Sequence, residues 1–458
     1  MEETAAAAFV ARRNKLAEHL GARPALLAAG RPRARNYAAN RYPFRAESHF
    51  LYLVGQPLAG AALLIDGGRS VLFLERPADD DALWHGEVER PEAIRAATGV
   101  DEVRWLDALS SAVAGKAVAT LPPQEDQTAS FLGEVLGRAI APRSGTRLEG
   151  HDARLADAMI ALRLHHDAAA IEQMRDAAAI TERAHRAGAR ALRPGVKEAA
   201  VKAAIEAEMT AVEGTPAYGS IVTTHGEVLH AEHAHRTVQE GDLLLVDAGT
   251  ENRAGWASDV TRVYPASRRF SATQRTIYDL VLAANRKGIE MVRPGVRYRD
   301  IHLAAARVML EGLVHLGVFR GAVDGLIERG AGAVFFPHGV GHLLGLDVHD
   351  MEDLGDRAGY APGRTRSKRF GDAYLRLDRD LAPGMCVTIE PGFYQVPAIL
   401  GGEVAAPFAN DLDNGRLEAF RDVRGIRLED DVLCTDGAPE VLTRAIPIAA
   451  DDVVRFMS

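Results

Sequence analysis

The stretch LLLVDAGTENRAGWASDVTR (residues 243–262) decides the fold, because it sets two aspartates on what the pattern predicts to be one hairpin. Its apolar start, closed by Asp247, is typical of a short buried strand that ends at a carboxylate. Asp259 follows on the returning segment, across a turn that contains Asn252 and Gly255. A lone aspartate after such a strand is most often a turn residue or a helix cap. Two facing carboxylates indicate a metal site only if further ligands join them.

A second segment, FFPHGVGHLLGLDVHD (residues 335–350), supplies candidate partners. His338, His342 and His349 fall within twelve positions and are interleaved with three glycines. Glycines allow the close backbone approach that converging histidines require. One histidine on such a turn is usually a hydrogen-bonded core residue, but three among glycines are hard to explain by packing. The segment therefore predicts a functional site.

Two glutamates complete the pattern. VTIEPGFY ends an apolar strand at Glu390, and GIRLEDDVLCT has Glu429 amid a second short strand. A buried charged glutamate needs a partner, and a salt bridge from Arg427 or Arg424 is the alternative explanation for Glu429. Four carboxylates and one imidazole at strand ends nevertheless form a ligand set suited to two divalent ions such as Mn²⁺, Co²⁺ or Zn²⁺.

In these residues the chain resembles the metallopeptidases of the pita-bread fold, in the branch of Xaa-Pro aminopeptidase (aminopeptidase P) and prolidase. The order Asp, Asp, His, Glu, Glu matches that family. YPFRAESHFLYLVG (residues 42–55) and LFLERPADDDALWHGE (residues 72–87) resemble the N-terminal domain of aminopeptidase P. The resemblance implies an α/β (α+β) protein with a smaller N-terminal α/β domain, residues 1–150, and a pita-bread catalytic domain, residues 151–458.

Chain length and local composition agree with two domains. A chain of 458 residues exceeds what one hydrophobic core usually organises. Short apolar runs between turns predict strands at residues 24–29, 60–65 and 70–74. Glycine and proline then mark a boundary near residues 141–151. Residues 153–192 follow it and are rich in helix formers over their whole length.

The resemblance also implies a role for single residues. It implies two divalent metal ions, with Mn²⁺ as the first expectation, and five ligands: Asp247, Asp259, His342, Glu390 and Glu429. Its substrate-binding and proton-handling positions match four further residues: His230, His338, His349 and Arg427. Glu390 is the ligand expected to take the proton of the attacking water, and Thr261 matches a threonine that lies beside the second aspartate, outside the ligand set. Two such ions lower the pKa of a shared water enough to supply hydroxide near neutral pH.

The hairpin departs from the family in its length. The two aspartates are 259 − 247 = 12 positions apart, one more than is usual in the family. Because side chains alternate along a strand, one residue inserted within the strand would turn Asp259 away from Asp247. We expect the turn between Asn252 and Gly255 to absorb the additional residue.

The expected substrates are proline-containing peptides, and two activities compete. The N-terminal domain favours an Xaa-Pro aminopeptidase. The separation of the glutamates, 429 − 390 = 39 residues, and the segment AYLRLDRDLAPGM resemble prolidases, which are Xaa-Pro dipeptidases. Arg376, 390 − 376 = 14 residues before Glu390, stands where prolidases bind the free carboxylate of a dipeptide, with a surface arginine as the alternative. We expect the aminopeptidase, and keep the dipeptidase as the alternative.

Other members of the fold are less compatible with this sequence. Methionine aminopeptidase shares the ligand set but lacks this N-terminal domain. Non-catalytic pita-bread binding modules and the metal-free enzyme creatinase require missing ligands, whereas all five are present here. The pattern therefore favours a metallohydrolase.

Bulk properties exclude several partners. The formal charge of −9 argues against a nucleic-acid surface, and no run of about 18 apolar residues predicts a membrane span. The two cysteines, Cys386 and Cys434, support neither a disulfide framework nor a thiolate zinc site. Residues 1–20 lack the basic-then-apolar order of a signal peptide. We expect a cytoplasmic protein.

Three residues have open roles. The resemblance implies a homodimer or homotetramer, in which Trp84 is a candidate to reach a neighbour's cleft; a buried core tryptophan is the alternative. His233 and His235, in HAEHAH, are expected at the edge of the cleft.

Overall fold

A computed structural model describes residues 2–458, with side chains from residue 6 onward. The chain forms two compact units. Unit 1 runs to Leu164 and includes Met351–Ala358, and unit 2 comprises His165–Asp350 and Gly359–Ser458. The expected domain limit at residue 150 stays a prediction. Within residues 2–458, no helix combines the length and the apolar character that crossing a membrane requires.

Unit 1 is built on a four-stranded sheet. Its strands are β1 (Ala25–Ala28), β2 (Ala62–Asp66), β3 (Arg69–Leu74) and β4 (Glu102–Trp105). Its helices are α1 (Glu2–Leu20), α2 (Ser48–Val54), α3 (Asp81–His85), α4 (Pro91–Thr98), α5 (Leu109–Val113), α6 (Asp126–Leu136) and α7 (Gly150–Arg163). The strands lie in chain order, antiparallel except for the parallel pair β3 and β4. The three predicted strands are confirmed, and Leu26, Leu64 and Phe73 from them form the core with Leu132.

Unit 2 combines long helices with short strands. The helices are α8 (Ala168–Ala191), α9 (Glu198–Thr210), α10 (Ala272–Glu290), α11 (Tyr298–His315), α12 (Val323–Arg329), α13 (Asp356–Gly359, which begins in the second segment of unit 1), α14 (Pro397–Leu400), α15 (Asn414–Glu418) and α16 (Ala450–Phe456). The strands are β5 (Thr215–Pro216), β6 (Ile221–Thr223), β7 (Leu243–Asp247), β8 (Thr250–Glu251), β9 (Thr261–Pro265), β10 (Cys386–Ile389), β11 (Gly392–Tyr394), β12 (Gly425–Arg427), β13 (Asp430–Leu433) and β14 (Glu440–Val441). Two three-stranded antiparallel sheets, β6-β7-β9 and β10-β13-β14, position most of the acidic residues discussed below.

The predicted helical stretch, residues 153–192, is helical but is divided into two helices. It is two helices, α7 and α8, because the side chain of Asp167 accepts a hydrogen bond from Ala170 N at 2.8 Å and caps the start of α8. An aspartate at this position satisfies a free N–H group of the first turn, so it begins a new helix. Composition alone favoured helix on both sides of the break and did not locate it.

The two halves of unit 2 repeat one local arrangement. The same four residues, RPGV, precede α9 and α11. In the first copy Gly195 N donates to Val238 O, and in the second Gly295 N donates to Leu381 O, both at 2.8 Å. Both glycines have the positive φ that such a turn requires. Each turn therefore holds the segment that leads into a central strand, β7 in one half and β10 in the other.

Candidate active site

One cleft in unit 2, of about 740 Å³, brings together all the metal-binding, catalytic and substrate-binding residues expected from the sequence. These are Asp247, Asp259, His342, Glu390, Glu429, His230, His338, His349, Arg427 and Arg376. The cleft is also lined by residues that the sequence analysis did not select, among them Lys202, Tyr218, Ser220, Glu232, Phe370 and Tyr374. Residues far apart in the chain thus converge because strand ends meet there.

The hairpin keeps its two aspartates on one face. The pairing register is unbroken from Asp247 opposite Thr261 to the turn, which is closed by a 2.9 Å hydrogen bond from Asn252 N to Trp256 O. Residues two apart in a strand point to the same side, so Asp259 shares the face of Asp247. The strand pairing therefore shows no bulge between Asp247 and the turn, and the expectation that the turn absorbs the additional residue stays a prediction.

Tyr218 joins the two aspartates and was not foreseen. Its hydroxyl lies 2.6 Å from Asp247 Oδ1 and 2.5 Å from Asp259 Oδ1. Burial and the neighbouring carboxylates raise the pKa of Tyr218 well above its usual value, so the phenol stays protonated. A single tyrosine before a short strand has no periodic signal in the sequence, and only its contacts reveal its place in the site.

His342 points one ring nitrogen at the acids. Its Nδ1 donates to Leu343 O at 3.0 Å, which leaves Nε2 at 3.4 Å from Asp259 Oδ2 and 3.5 Å from Glu390 Oε1. Burial lowers the pKa of His342, but the hydrogen bond to Asp259 and the charge of Glu390 outweigh it and raise the pKa to about 9. A ring whose other nitrogen is held by a backbone carbonyl is typical of metal-binding histidines.

The two glutamates approach from neighbouring strands. Glu390 directly follows β10, and Glu429 lies between β12 and β13, where the sequence predicted it within a strand. Burial, opposed by His342, raises the pKa of Glu390 to about 7. Burial and the nearby acids raise the pKa of Glu429 well above its usual value.

The acid cluster fits divalent cations. Donor atoms of Asp259, His342 and Glu429 all lie within 4.8 Å of one another. Carboxylate oxygens with one imidazole nitrogen are a donor set for Mn²⁺, Co²⁺ or Zn²⁺. Burial, and after it the neighbouring carboxylates, raise the pKa of Glu390 and of Glu429, so their charged forms are costly in this cluster. Cations bound there would stabilise these charged forms.

Arg427 is a buried anchor of the cluster. It donates to Asp247 Oδ2, to Thr261 Oγ1 at 2.9 Å and to Tyr394 Oη at 3.0 Å. The Thr261 hydroxyl in turn donates to Glu429 Oε2 at 2.6 Å. One guanidinium thereby fixes an aspartate of the hairpin directly and a glutamate through a single hydroxyl. Glu429 is thus linked to Arg427 through the Thr261 hydroxyl, and not by the direct salt bridge that was the alternative explanation.

The two inner histidines, His338 and His349, have defined orientations. His338 Nδ1 donates to Gly339 O at 2.8 Å, so Nε2 accepts from Tyr394 Oη at 2.8 Å. Burial, together with the charge of Arg427, lowers the pKa of His338 to about 3 and keeps the ring neutral. His349 packs edge-on against His342 with ring centroids 4.2 Å apart.

The outer histidines, His230, His233 and His235, differ in whether they line the cleft. His230 lines the cleft, and burial followed by the charges of Arg427 and Arg376 lowers its pKa. His233 and His235 are exposed and do not line this cleft. In unit 1, Trp84 is 70% exposed, which excludes the alternative of a buried core tryptophan.

Comparison with known proteins agrees with this geometry. Residues 172–436 match the model of metallopeptidase family M24, and residues 9–120 match the aminopeptidase P N-terminal domain. The Xaa-Pro dipeptidase of Homo sapiens is 32% identical over 474 residues, which cover 99% of this chain and 93% of that protein. A probable Xaa-Pro aminopeptidase of Neosartorya fischeri is 32% identical over 434 residues, covering 90% and 88%.

Solved structures show the same fold over the whole chain. Aminopeptidase PepP of Pseudomonas aeruginosa has a TM-score of 0.82 at 29% identity and covers 100% of this chain and 99% of its own. An Escherichia coli aminopeptidase P variant in complex with substrate has a TM-score of 0.80 at 28% identity, covering 99% and 98%. The chain belongs to metallopeptidase family M24. The predicted α/β pita-bread fold with an aminopeptidase P-like N-terminal domain is confirmed.

Proposed function

We propose that this metallopeptidase is an Xaa-Pro aminopeptidase, which cleaves the bond between an N-terminal residue and a following proline. The observation that carries the proposal is the convergence of four carboxylates and one imidazole in a cleft that the inner histidines also line. The similarity to Xaa-Pro peptidases along nearly the whole chain supports the substrate class.

Five residues would hold the metal ions: Asp247, Asp259, His342, Glu390 and Glu429. Mn²⁺ is the proposed ion, with Co²⁺ and Zn²⁺ as alternatives, because hard oxygen donors outnumber the single nitrogen. When bound, two such ions would polarise the scissile carbonyl and acidify the attacking water.

The chain's own residues would handle protons and position the substrate. Glu390 lies at the end of β10 with its carboxylate in the cleft, and as a general base it would take the water's proton and return it to the leaving proline nitrogen. His230 and His349 offer N–H donors for the oxyanion of the tetrahedral intermediate. Arg427 donates to Tyr394, which donates to His338, so this relay sets the orientation of the His338 ring.

Selectivity for proline requires recognition by shape. The Xaa-Pro amide has no N–H group, so the site cannot identify proline through a hydrogen bond from the amide. The cleft offers apolar and aromatic walls for the ring, which include Val348, Phe370, Val396 and Ile399.

An Xaa-Pro dipeptidase is the second candidate, and Arg376 is the observation that favours it. Arg376 lines the cleft and lies close enough to His230 to lower its pKa. A planar guanidinium binds a carboxylate through two parallel hydrogen bonds. The free carboxylate of a dipeptide would engage it, whereas a longer peptide presents a neutral amide at that point.

The test compares Ala-Pro with Ala-Pro-Ala, using Mn²⁺-loaded wild type and Arg376→Ala. If Arg376 binds the carboxylate, kcat/KM for the dipeptide alone falls, by about one to two powers of ten for a lost charge-assisted contact of about 1.5–3 kcal/mol. Arg364→Ala is the matched control, because Arg364 lies in the same segment, pairs with Asp380 and does not line the cleft. Equal losses on both substrates refute carboxylate recognition. A strong wild-type preference for Ala-Pro makes the dipeptidase the better assignment, and no hydrolysis of either peptide overturns the proposal.

A non-catalytic binding module is the remaining alternative, which metal analysis of the purified protein and the same assay would separate from a peptidase. We further propose a homodimer or homotetramer, as light scattering at several concentrations would test. The proposed domain limits, residues 1–150 and 151–458, are testable by limited proteolysis near the boundary.

A further inference from the structure

A buried carboxylate holds both ends of the loop that carries His230. Glu198, the first residue of α9, has no exposed surface. Its Oε1 accepts from Thr224 N at 2.8 Å and from Thr224 Oγ1 at 3.0 Å. Its Oε2 accepts from Arg236 N at 3.0 Å, and its own backbone N–H donates to Arg236 O. The two residues that Glu198 binds flank residues 225–235.

The start of this loop is fixed a second time. A Cβ on Gly226 would lie 2.5 Å from Gly425 O, so the two backbones touch. Glu227 pairs with Arg424 at 2.9 Å. The loop is therefore anchored at its first residues by β12 and its neighbour Arg424, whereas its far end is held by Glu198. The middle of the loop, with His230, enters the cleft.

The second half of unit 2 contains an equivalent anchoring hydrogen bond. Tyr298 is the second residue after the second RPGV motif, just as Glu198 is the second residue after the first. It is fully buried, and its hydroxyl donates to Thr388 O at 2.6 Å. Thr388 stands two residues before Glu390 and accepts a hydrogen bond from His342 N at 3.1 Å. In both halves the first residue of the helix after the turn thus binds a segment that carries a site residue.

From this geometry we infer that Glu198 is a positioning residue: its carboxylate sets the conformation of residues 225–235 and through it the place of His230 in the cleft. The effect on catalysis rests on the proposed function, whereas the effect on the loop does not. Glutamine is the informative replacement, because it has the same shape. Whichever way the amide is turned, its NH₂ group faces the backbone N–H of Thr224 or of Arg236, and a buried donor loses its acceptor.

Hydrogen exchange tests the loop directly. In Glu198→Gln, amides of residues 225–235 should exchange at least about fivefold faster, because a local opening costs less free energy when an anchor is lost. Val201→Ala is the matched control: Val201 is buried in the core on the same helix, and its alkyl side chain cannot hydrogen-bond to either end of the loop. Equal protection of the loop in wild type and Glu198→Gln, or equal acceleration in both variants, overturns the inference.

Kinetics with Ala-Pro test the link to His230 through a double-mutant cycle of Glu198→Gln and His230→Ala. We expect Glu198→Gln to lower kcat/KM about tenfold when His230 is present and less than about twofold when it is absent. The reason is that displacing the His230 side chain can lower the rate only in protein that still has this side chain. Equal losses in both backgrounds would assign Glu198 a general structural role and refute the positioning role. If wild type hydrolyses no Xaa-Pro peptide, the proposed function fails, and hydrogen exchange still decides the role of Glu198 in the loop.

Discussion

Replacement of Thr261 by valine should weaken metal binding without changing the shape of the core. Thr261 is fully buried, and its hydroxyl donates to Glu429 at 2.6 Å while it accepts from Arg427 Nε at 2.9 Å. Valine leaves both partners without this contact, at about 1–3 kcal/mol for each buried group that stays unsatisfied. Loss of a partner that orients a metal ligand typically reduces affinity 10–100-fold, equivalent to about 1.4–2.8 kcal/mol.

In the assay, chelator-treated enzyme is titrated with Mn²⁺. Metal binding is measured by calorimetry, and the recovery of activity is measured by Ala-Pro hydrolysis. Thr261→Ser, which keeps the hydroxyl, should restore most of the affinity. Thr120→Val controls for the loss of a buried hydroxyl elsewhere, because Thr120 donates to Leu26 O within unit 1. An unchanged Mn²⁺ midpoint in Thr261→Val would refute the reasoning that this hydroxyl holds Glu429 in place.

Three further predictions follow from the same site and its surroundings. Chelation should abolish hydrolysis, and Mn²⁺ or Co²⁺ should restore it and raise the Tm, because bound cations offset the charge of buried carboxylates; full activity of verified metal-free protein would contradict this. Glu390→Gln should lower kcat by about two or more powers of ten, because an amide cannot accept the water's proton; near-normal turnover would remove Glu390 from the mechanism. Burial lowers the pKa of His185 to about 4, below the value of about 6.5 for an unfolded chain. The neutral ring therefore contributes fully to the free energy of unfolding above about pH 6.5. This contribution falls by up to about 3 kcal/mol as the pH drops toward about 4. His185→Gln, which can still donate to Ala248 O as the ring does, should flatten the pH dependence of urea unfolding between pH 7 and 4.5, and an unchanged slope would speak against this assignment.

The local pattern carried much of the information about the proposed ligands. Asp247 could be placed because an apolar run must be buried and the first polar residue after it marks the strand end. Glu390 follows the same rule after β10, and the spacing of His342 among glycines indicates a tight segment. Alternation along a strand also indicated that Asp259 stays on the face of Asp247 only if the turn takes up the additional residue, and the structure places both aspartates on one face.

The sequence by itself therefore determined the types and the order of the proposed ligands, and the strand ends of Asp247 and Glu390. Only the tertiary structure decided what holds them: Tyr218 between two aspartates, the Thr261 hydroxyl between Arg427 and Glu429, and Glu198 across the ends of a loop. The physical reason is the range of the interactions. Periodicity and turn chemistry act between residues a few positions apart, whereas these hydrogen bonds join side chains separated by many residues and exist only when packing brings a donor within about 3 Å of its acceptor.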